Sequence, residues 1–188
     1  MALPQEKLSL ETFLAWETAQ AERYFFYRGE VFAMVGVRQA HATVTLNAGA
    51  AFKSALRGTP CRAFVADVKL RVDAADALFY PDVMVTCDAR DKATPNYLAH
   101  PKLVVEVLSD STAAFDRGAK FAAYRLIDTL EEYALIDVDA RRVEVFRRNA
   151  AGRWELYDFA AGTAVEFASI GVTLDAATLY ENVEPTPE

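Results

Sequence analysis

Hydrophobic and polar positions follow two periods along this chain, and the switches between them divide it into elements. In "SLETFLAWETAQ", Leu10, Phe13, Leu14 and Glu17 recur at helical spacing behind Ser9, a residue suited to cap a helix, so a helix is predicted there. "RYFFYRGEVFAM" is aromatic and β-branched on both sides of Arg28-Gly29, the pattern of a hairpin, with Glu30 just past its turn. Val44, Leu46, Ala48, Phe52 and Leu56 predict a second helix that ends at Gly58. "CRAFVADVKLRVD" reads as one strand, Ala74-Ala75-Asp76 as a turn, and "LFYPDVMVT" as the next strand. The polar stretch from Asp88 to His100 holds Pro95 and reads as a loop.

Beyond that loop, "PKLVVEVLSD" is a strand apolar on both faces, and Phe115, Ala119, Ala122, Ala123 and Leu126 predict a helix that Ser111 or Thr112 can cap. The residues from Glu131 to Ile170 read as a β meander, with turns at Asp137 to Ala140, Asn149 to Gly152 and Ala161 to Thr163. "LDAATLY" is a short closing helix and "EPTPE" a frayed tail. There is no internal repeat and no linker. The expectation is a single α+β (mixed α/β) domain over 1–188, with a core of about 8–181 and a flexible tail from 182, built on a central mixed β-sheet flanked by helices.

Two acids break this pattern. Glu106 stands between Val105 and Val107, and Asp82 sits between Pro81 and Val83-Met84-Val85. An ionised carboxylate in an apolar strand is costly unless a cation, a metal or hydrogen bonds compensate it. If the two strands are neighbours, the carboxylates converge and can hold a hard divalent ion, with the Val107 carbonyl as a further oxygen ligand. Asp116, Lys120 and Tyr124 are spaced four apart and share a helix face, so Lys120 can reach the same place. Two acids, a lysine and a metal suit hydrolysis of a phosphodiester by water. A buried ion pair between Glu106 and Arg117 or Lys120 is the plain alternative.

Composition narrows the setting. At 53% hydrophobic residues the chain can bury a real core, and no apolar run approaches the roughly 20 residues of a membrane span. The N-terminal stretch carries acids and lacks signal-peptide order, so the expected location is cytoplasmic. Cys61 and Cys87 have no metal-ligand spacing and read as reduced thiols. A formal charge of −7 argues against a general nucleic-acid coat protein but leaves room for a carboxylate-lined metal site.

"YPDV…LVVEVLS" resembles the core of PD-(D/E)xK nucleases, the fold of many restriction and repair endonucleases. That superfamily usually carries its lysine two residues after the second acid. Here Leu108 fills that slot, and a lysine from the following helix, Lys120, resembles a variation of the superfamily. The order of "YPDVMVTCD", "PKLVVEVLSDST" and "FDRGAKFAAYRLIDTLEEYALID" is similar to the Uma-two family of restriction-endonuclease-like proteins, over about residues 8–181. Where that family often has proline, this chain has Asp110.

The resemblance implies Asp82 and Glu106 as metal ligands, Lys120 as the catalytic lysine, and Glu30 as an upstream acid acting through a metal-bound water. His41 and Asp67 also fall at family-like positions, and Tyr124 would support Lys120 or the core. The implied activity is an Mg²⁺- or Mn²⁺-dependent endonuclease acting on nucleic acid, with DNA as the first choice and RNA or a small phosphodiester as rivals. The other reading is a catalytically inactive nuclease fold that binds nucleic acid or protein. Specificity would come from loops such as Asp88 to His100, or from a homodimer that cuts both strands. Arg141, Arg142, Arg147 and Arg148 could track a phosphate backbone or simply line an exposed strand.

Overall fold

A computed structural model describes residues 8–34 and 36–184. The first seven residues, on which the reading of the N-terminus partly rests, and residues 185–188 of the expected tail lie outside it. Ser9 caps α1 (Leu10–Glu17) by accepting the Thr12 amide, and Leu10 and Phe13 pack on Phe26 and Leu78. β1 (Tyr24–Tyr27) and β2 (Glu30–Ala33) form the expected hairpin. Arg28 and Gly29 both take positive φ, 51° and 88°, which twists the turn to match the strands. α2 (Gln39–Ala55) presents Val44, Ala48 and Phe52 to the main core. Burying a ring such as Phe52 stabilises by roughly 1.5–3 kcal/mol. Gly49 lets the helix close on the sheet, because a Cβ there would collide with Val65.

The stretch expected as one strand at 61–73 is two. β3 (Arg62–Val65) and β4 (Lys69–Val72) belong to different sheets, and between them Ala66 and Asp67 take positive φ, 27° and 58°. β5 (Ala77–Phe79) and β6 (Val83–Thr86) divide in the same way around Tyr80-Pro81-Asp82. The Ala66 amide donates to the Asp82 carbonyl at 2.9 Å and clamps the two crossings together. Each half keeps a strand-like pattern, so alternation alone does not register the crossing. The polar loop after β6 also has internal order: a 3₁₀ turn (Ala89–Lys92) and β7 (Tyr97–Leu98), parallel to β4. Buried Asp91 organises it by accepting from the Thr86 hydroxyl and from the Ala99 and His100 amides.

β8 (Leu103–Val107) lies antiparallel to β6 and parallel to β9 (Glu132–Asp137). β10 (Arg142–Arg148) and β11 (Trp154–Phe159) continue as a meander, giving the larger sheet the order β11-β10-β9-β8-β6-β3. The smaller sheet runs β2-β1-β5-β4-β7. The expected meander stops at β11. β12 (Val165–Phe167) and β13 (Val172–Leu174) leave the sheet as a separate hairpin, where Phe167 packs edge-on against Phe52. Ala176–Leu179 is the short closing helix.

Alternation then sorts the larger sheet. Val83, Val85, Leu103, Val105 and Val107 face the core beneath α2, while Met84 and Val104 face the second core, shared with Tyr124 and Tyr133. The helical segment 113–124 covers that second face. It is broken by a π turn at Asp116–Lys120 and ends at Tyr124, short of the predicted Leu126. This is the expected mixed α+β fold, a central mixed sheet with helices against it.

The cysteines correct an expectation. Cys61 and Cys87 form a disulfide. The register that pairs Arg62 with Thr86 brings them face to face one step further along. The two residues are separated by 26 positions, and nothing local in the sequence announces that β3 and β6 are neighbours.

Candidate active site

Asp82 and Glu106 lie on neighbouring strands, as expected. The register pairing Val83 with Val105 continues outward to set Asp82 opposite Glu106. Both extend the face of Met84 and Val104, the face covered by the segment 113–124. The Val107 amide donates to Asp82 Oδ2 at 2.7 Å, which binds the two strand ends together.

The helix supplies the rest. Lys120 Nζ lies 2.9 Å from Glu106 Oε1 and 2.8 Å from Asp116 Oδ1, and the Tyr124 hydroxyl donates to the same Glu106 Oε1 at 2.8 Å. Asp116 Oδ1 is charge-paired with this ammonium yet receives no aligned hydrogen bond. The spacing of Asp116, Lys120 and Tyr124 thus does what the sequence predicts. The π turn falls at Asp116–Lys120, a distortion that recurs at functional sites.

Glu106 and Asp116 are each only 2% exposed. Burial pushes Glu106 up to about 8. Lys120 opposes that shift, but Asp116 and Asp82 reinforce it. Burial would lower Lys120, but Glu106 and Asp116 outweigh it and the ammonium holds its proton more tightly than usual. His41, near the start of α2, places Nε2 3.4 Å from Asp82 Oδ2. Burial would lower this imidazole too. The Asp82 carboxylate outweighs it, aided by the Val107 backbone, and His41 ends up raised. Val107, whose carbonyl is expected as a metal ligand, lines the same cleft as His41, and His41 Nδ1 has no hydrogen-bond partner among the described residues.

Hydrogen bonds and charge partners converge on one oxygen of each strand acid. Val107 and His41 address Asp82 Oδ2, and Tyr124 and Lys120 address Glu106 Oε1. Among the described residues no hydrogen bond reaches Asp82 Oδ1 or Glu106 Oε2, the oxygens that a further ligand would take. Among the described residues no group of three or more His, Cys, Asp or Glu is arranged to hold a metal ion. A cation here would therefore take two protein carboxylates and complete its shell with water and substrate oxygens, a donor set that fits Mg²⁺ or Mn²⁺. Burial is the main cause of the rise in Glu106, but the Asp116 and Asp82 charges that reinforce it would also favour a dication in place of its proton.

These residues line one cleft of about 600 Å³, which Asp82, Glu106, Asp116, Lys120 and His41 share with an aromatic wall. Two expected residues are not brought to it. Glu30 is exposed, opposite Tyr27 in the β1–β2 hairpin, and Asp67 is exposed at the strand crossing, where it pairs with Arg23 at 3.1 Å. Neither lines the cleft. The arginines of β10 are engaged elsewhere. Arg142 pairs with Asp158, Arg147 with Glu132, Arg148 with the Asp128 carbonyl, and Arg141, just before the strand, donates to the Val183 carbonyl. Arg117 pairs with Glu144 and leaves Glu106 to Lys120. Asp116 is the member that sequence reasoning passes over, because it reads only as a register mark for Lys120. Its spacing to that lysine was the available signal.

Comparison with known proteins bears on the fold and the family. Two uncharacterized proteins of Synechocystis sp. are each 33% identical to the chain. One, slr1290, aligns over 96% of this chain and 95% of its own length, and the other, sll1609, over 86% and 93%. In fold, the chain is similar to the crystal structure of a protein from Anabaena variabilis described as a "putative nuclease belonging to DUF820". The TM-score is 0.74 at 18% identity, covering 92% of this chain and 97% of that one. Residues 10–177 match the family described as "Uma2: Putative restriction endonuclease", and the chain belongs to that family.

Proposed function

We propose that this chain is a metal-dependent endonuclease that hydrolyses phosphodiester bonds of nucleic acid, with DNA as its substrate. The observation that carries this reading is the pairing of Asp82 with Glu106 across two strands, with Lys120 2.9 Å from Glu106, all open to one cleft. Asp82 and Glu106 would hold Mg²⁺ or Mn²⁺. Once bound, the ion would supply Lewis-acid polarisation of the phosphate and a more acidic water.

The chain's own residues do the remaining work. Glu106 and Asp116 fix the Lys120 ammonium, whose raised proton affinity keeps it charged to stabilise the negative charge that develops on phosphate. The Tyr124 hydroxyl orients Glu106, and the Val107 amide and His41 orient Asp82. Glu30 and Asp67, exposed as they are, would enter only through a bound water or a substrate that reaches them. Scission of both strands of a duplex would call for two copies of the chain. A cytoplasmic setting belongs to the same reading, and there the Cys61–Cys87 bridge would face reducing conditions. No helix among the described residues is long and apolar enough to cross a membrane.

One observation favours a second reading. Leu108 occupies the usual lysine slot, and Glu106 is already ion-paired, so the fold could persist as a binding module without chemistry. Two measurements separate the readings. Calorimetric titration of Mn²⁺ should give about one equivalent bound in wild type and none in Asp82→Ala. Covalently closed DNA and RNA circles, incubated with Mg²⁺ or Mn²⁺, should be cut by wild type. Cutting should stop in EDTA and fall by on the order of 10² to 10³ in Lys120→Ala. Equal cutting by Lys120→Ala and Glu106→Gln would end the proposed mechanism. Nucleic-acid binding that survives chelator without cutting would establish the module.

A further inference from the structure

The cleft that holds the acids has a second wall that the chemistry above does not use. Phe25 and Phe32 are cross-strand partners in the β1–β2 hairpin, with rings stacked at 4.8 Å and 11°. Phe115, from the helix that carries Lys120, lies 5.4 Å from Phe25, and fully buried Phe79 backs both of them. All four line the cleft, and Phe25, Phe32 and Phe115 are only half-buried. Phe32 ends the stack. Among the described residues it meets no ring but Phe25, so one face has no aromatic neighbour.

The charges of the cleft point the same way. Among the described residues its acids are Asp82, Glu106, Asp110 and Asp116, and its permanent cations are Lys120 and Arg38. Both cations are already paired, Lys120 with Glu106 and Asp116, and Arg38 with Asp139. A duplex is held chiefly through a row of cations on its phosphates, and the cleft lacks one. Its volume, about 600 Å³, is that of a small-ligand site and too small to take in a double helix. A base stacked on an aromatic ring gains affinity without such a row, whatever the base.

We propose that the Phe25–Phe32–Phe115 wall is a base-stacking platform, and that the cleft admits a single nucleic-acid strand in preference to a duplex. This rests on the nuclease reading of the same site. Phe32 would take a base on its open face while the adjoining phosphate lies toward Asp82, Glu106 and Lys120.

The test is fluorescence anisotropy in Ca²⁺, with an EDTA arm, using a labelled 12-nucleotide thymidine strand and the same strand annealed to its adenine complement. The single strand should bind at least tenfold more tightly than the duplex. Phe32→Ala should weaken single-strand binding by roughly 5- to 150-fold, the loss of one base stack, and leave the duplex unaffected. Phe32→Trp should restore it, and circular dichroism confirms that each variant is folded. Equal or tighter binding of the duplex, wild-type binding by folded Phe32→Ala, or no binding of either form overturns the platform. The outcomes also separate the two proposals. Single-strand binding that depends on Phe32, without cutting in Mg²⁺ or Mn²⁺, supports the platform and removes the nuclease. Cutting of duplex indifferent to Phe32 does the reverse.

Discussion

Glu106 and Glu132 are buried glutamates on adjacent parallel strands, 2% and 0% exposed, and each is ion-paired to a basic side chain. Glu132 is fully answered. Arg147 Nε donates to it at 2.7 Å, and the Ala168 and Ser169 amides at 3.1 and 2.9 Å, so this carboxylate ties the β12–β13 hairpin to the sheet. Glu106 shares its one cation with Asp116, has Asp82 facing it, and opens on a cleft. A buried acid with a cation of its own and donors on both oxygens is structural. A buried acid short of positive charge is poised to take up a proton or a metal.

The sharpest way to break that contrast is to exchange what the two glutamates lose. Glu132→Ala leaves Arg147 only its 3.3 Å ion pair with Glu166, unpairs two part-buried amides and empties a fully buried position, and should cost about 3 kcal/mol in a urea titration. Glu106→Gln imitates the protonated form that burial of Glu106 favours, so it should change stability by only about 1 kcal/mol. The order reverses for cutting. Glu106→Gln should lose activity by a factor of 10² or more, and Glu132→Gln, assayed where it is folded, should stay within a few-fold. If Glu106→Gln unfolds the protein as Glu132→Ala does, both glutamates are structural and the contrast is gone.

A smaller effect follows from acidity. Glu106 titrates near 4.5 when unfolded and is pushed up to about 8 when folded. Between those values the folded state binds the extra proton, so stability is fully present below about pH 4.5 and is lost as pH rises toward 8. Lys120 is flat across this window, because its raised folded value lies far above it. His41 is also raised from 6.5 and erodes stability in the same direction, but only from that pH upward. The interval from pH 5 to 6 therefore isolates Glu106. Metal-free protein should lose stability across it, and Glu106→Gln should be flat. Equal slopes in the two proteins would show that Glu106 ionises normally.

The contrast also explains what could be read from the chain. Asp82 and Glu106 stood out because an acid in an apolar strand violates the burial pattern, and Lys120 and Tyr124 followed from helical spacing. Glu132 sits at a strand start beside Glu131 and looks like an exposed acid, because its partners come from β10 and from the β12–β13 turn. Glu30 and Asp67 are the opposite case, exposed and away from the cleft. Next to a turn or a crossing, a cleft acid and a solvated one have the same local pattern. The two crossings at Ala66 and Pro81 divide strands without interrupting alternation, and the Cys61–Cys87 bridge depends on a pairing that crosses between them. Local periodicity carried most of the elements, whereas pairings between segments distant in sequence, such as β3 with β6, were invisible to it.

The smallest expected effect concerns Tyr124, which distinguishes support from chemistry. Its hydroxyl donates to Glu106 Oε1 at 2.8 Å, and its ring packs edge-on against Phe79 and Tyr133. Tyr124→Phe keeps the ring and removes the donor, so stability should fall by about 1 kcal/mol. Lys120 still engages the same oxygen, so cutting should fall by less than about tenfold, well short of the loss in Glu106→Gln. A donor to a carboxylate favours its charged form, and its removal should move the stability loss assigned to Glu106 toward higher pH. If Tyr124→Phe abolishes cutting while that pH profile stays where it was, the hydroxyl acts on the substrate itself and the supporting role falls.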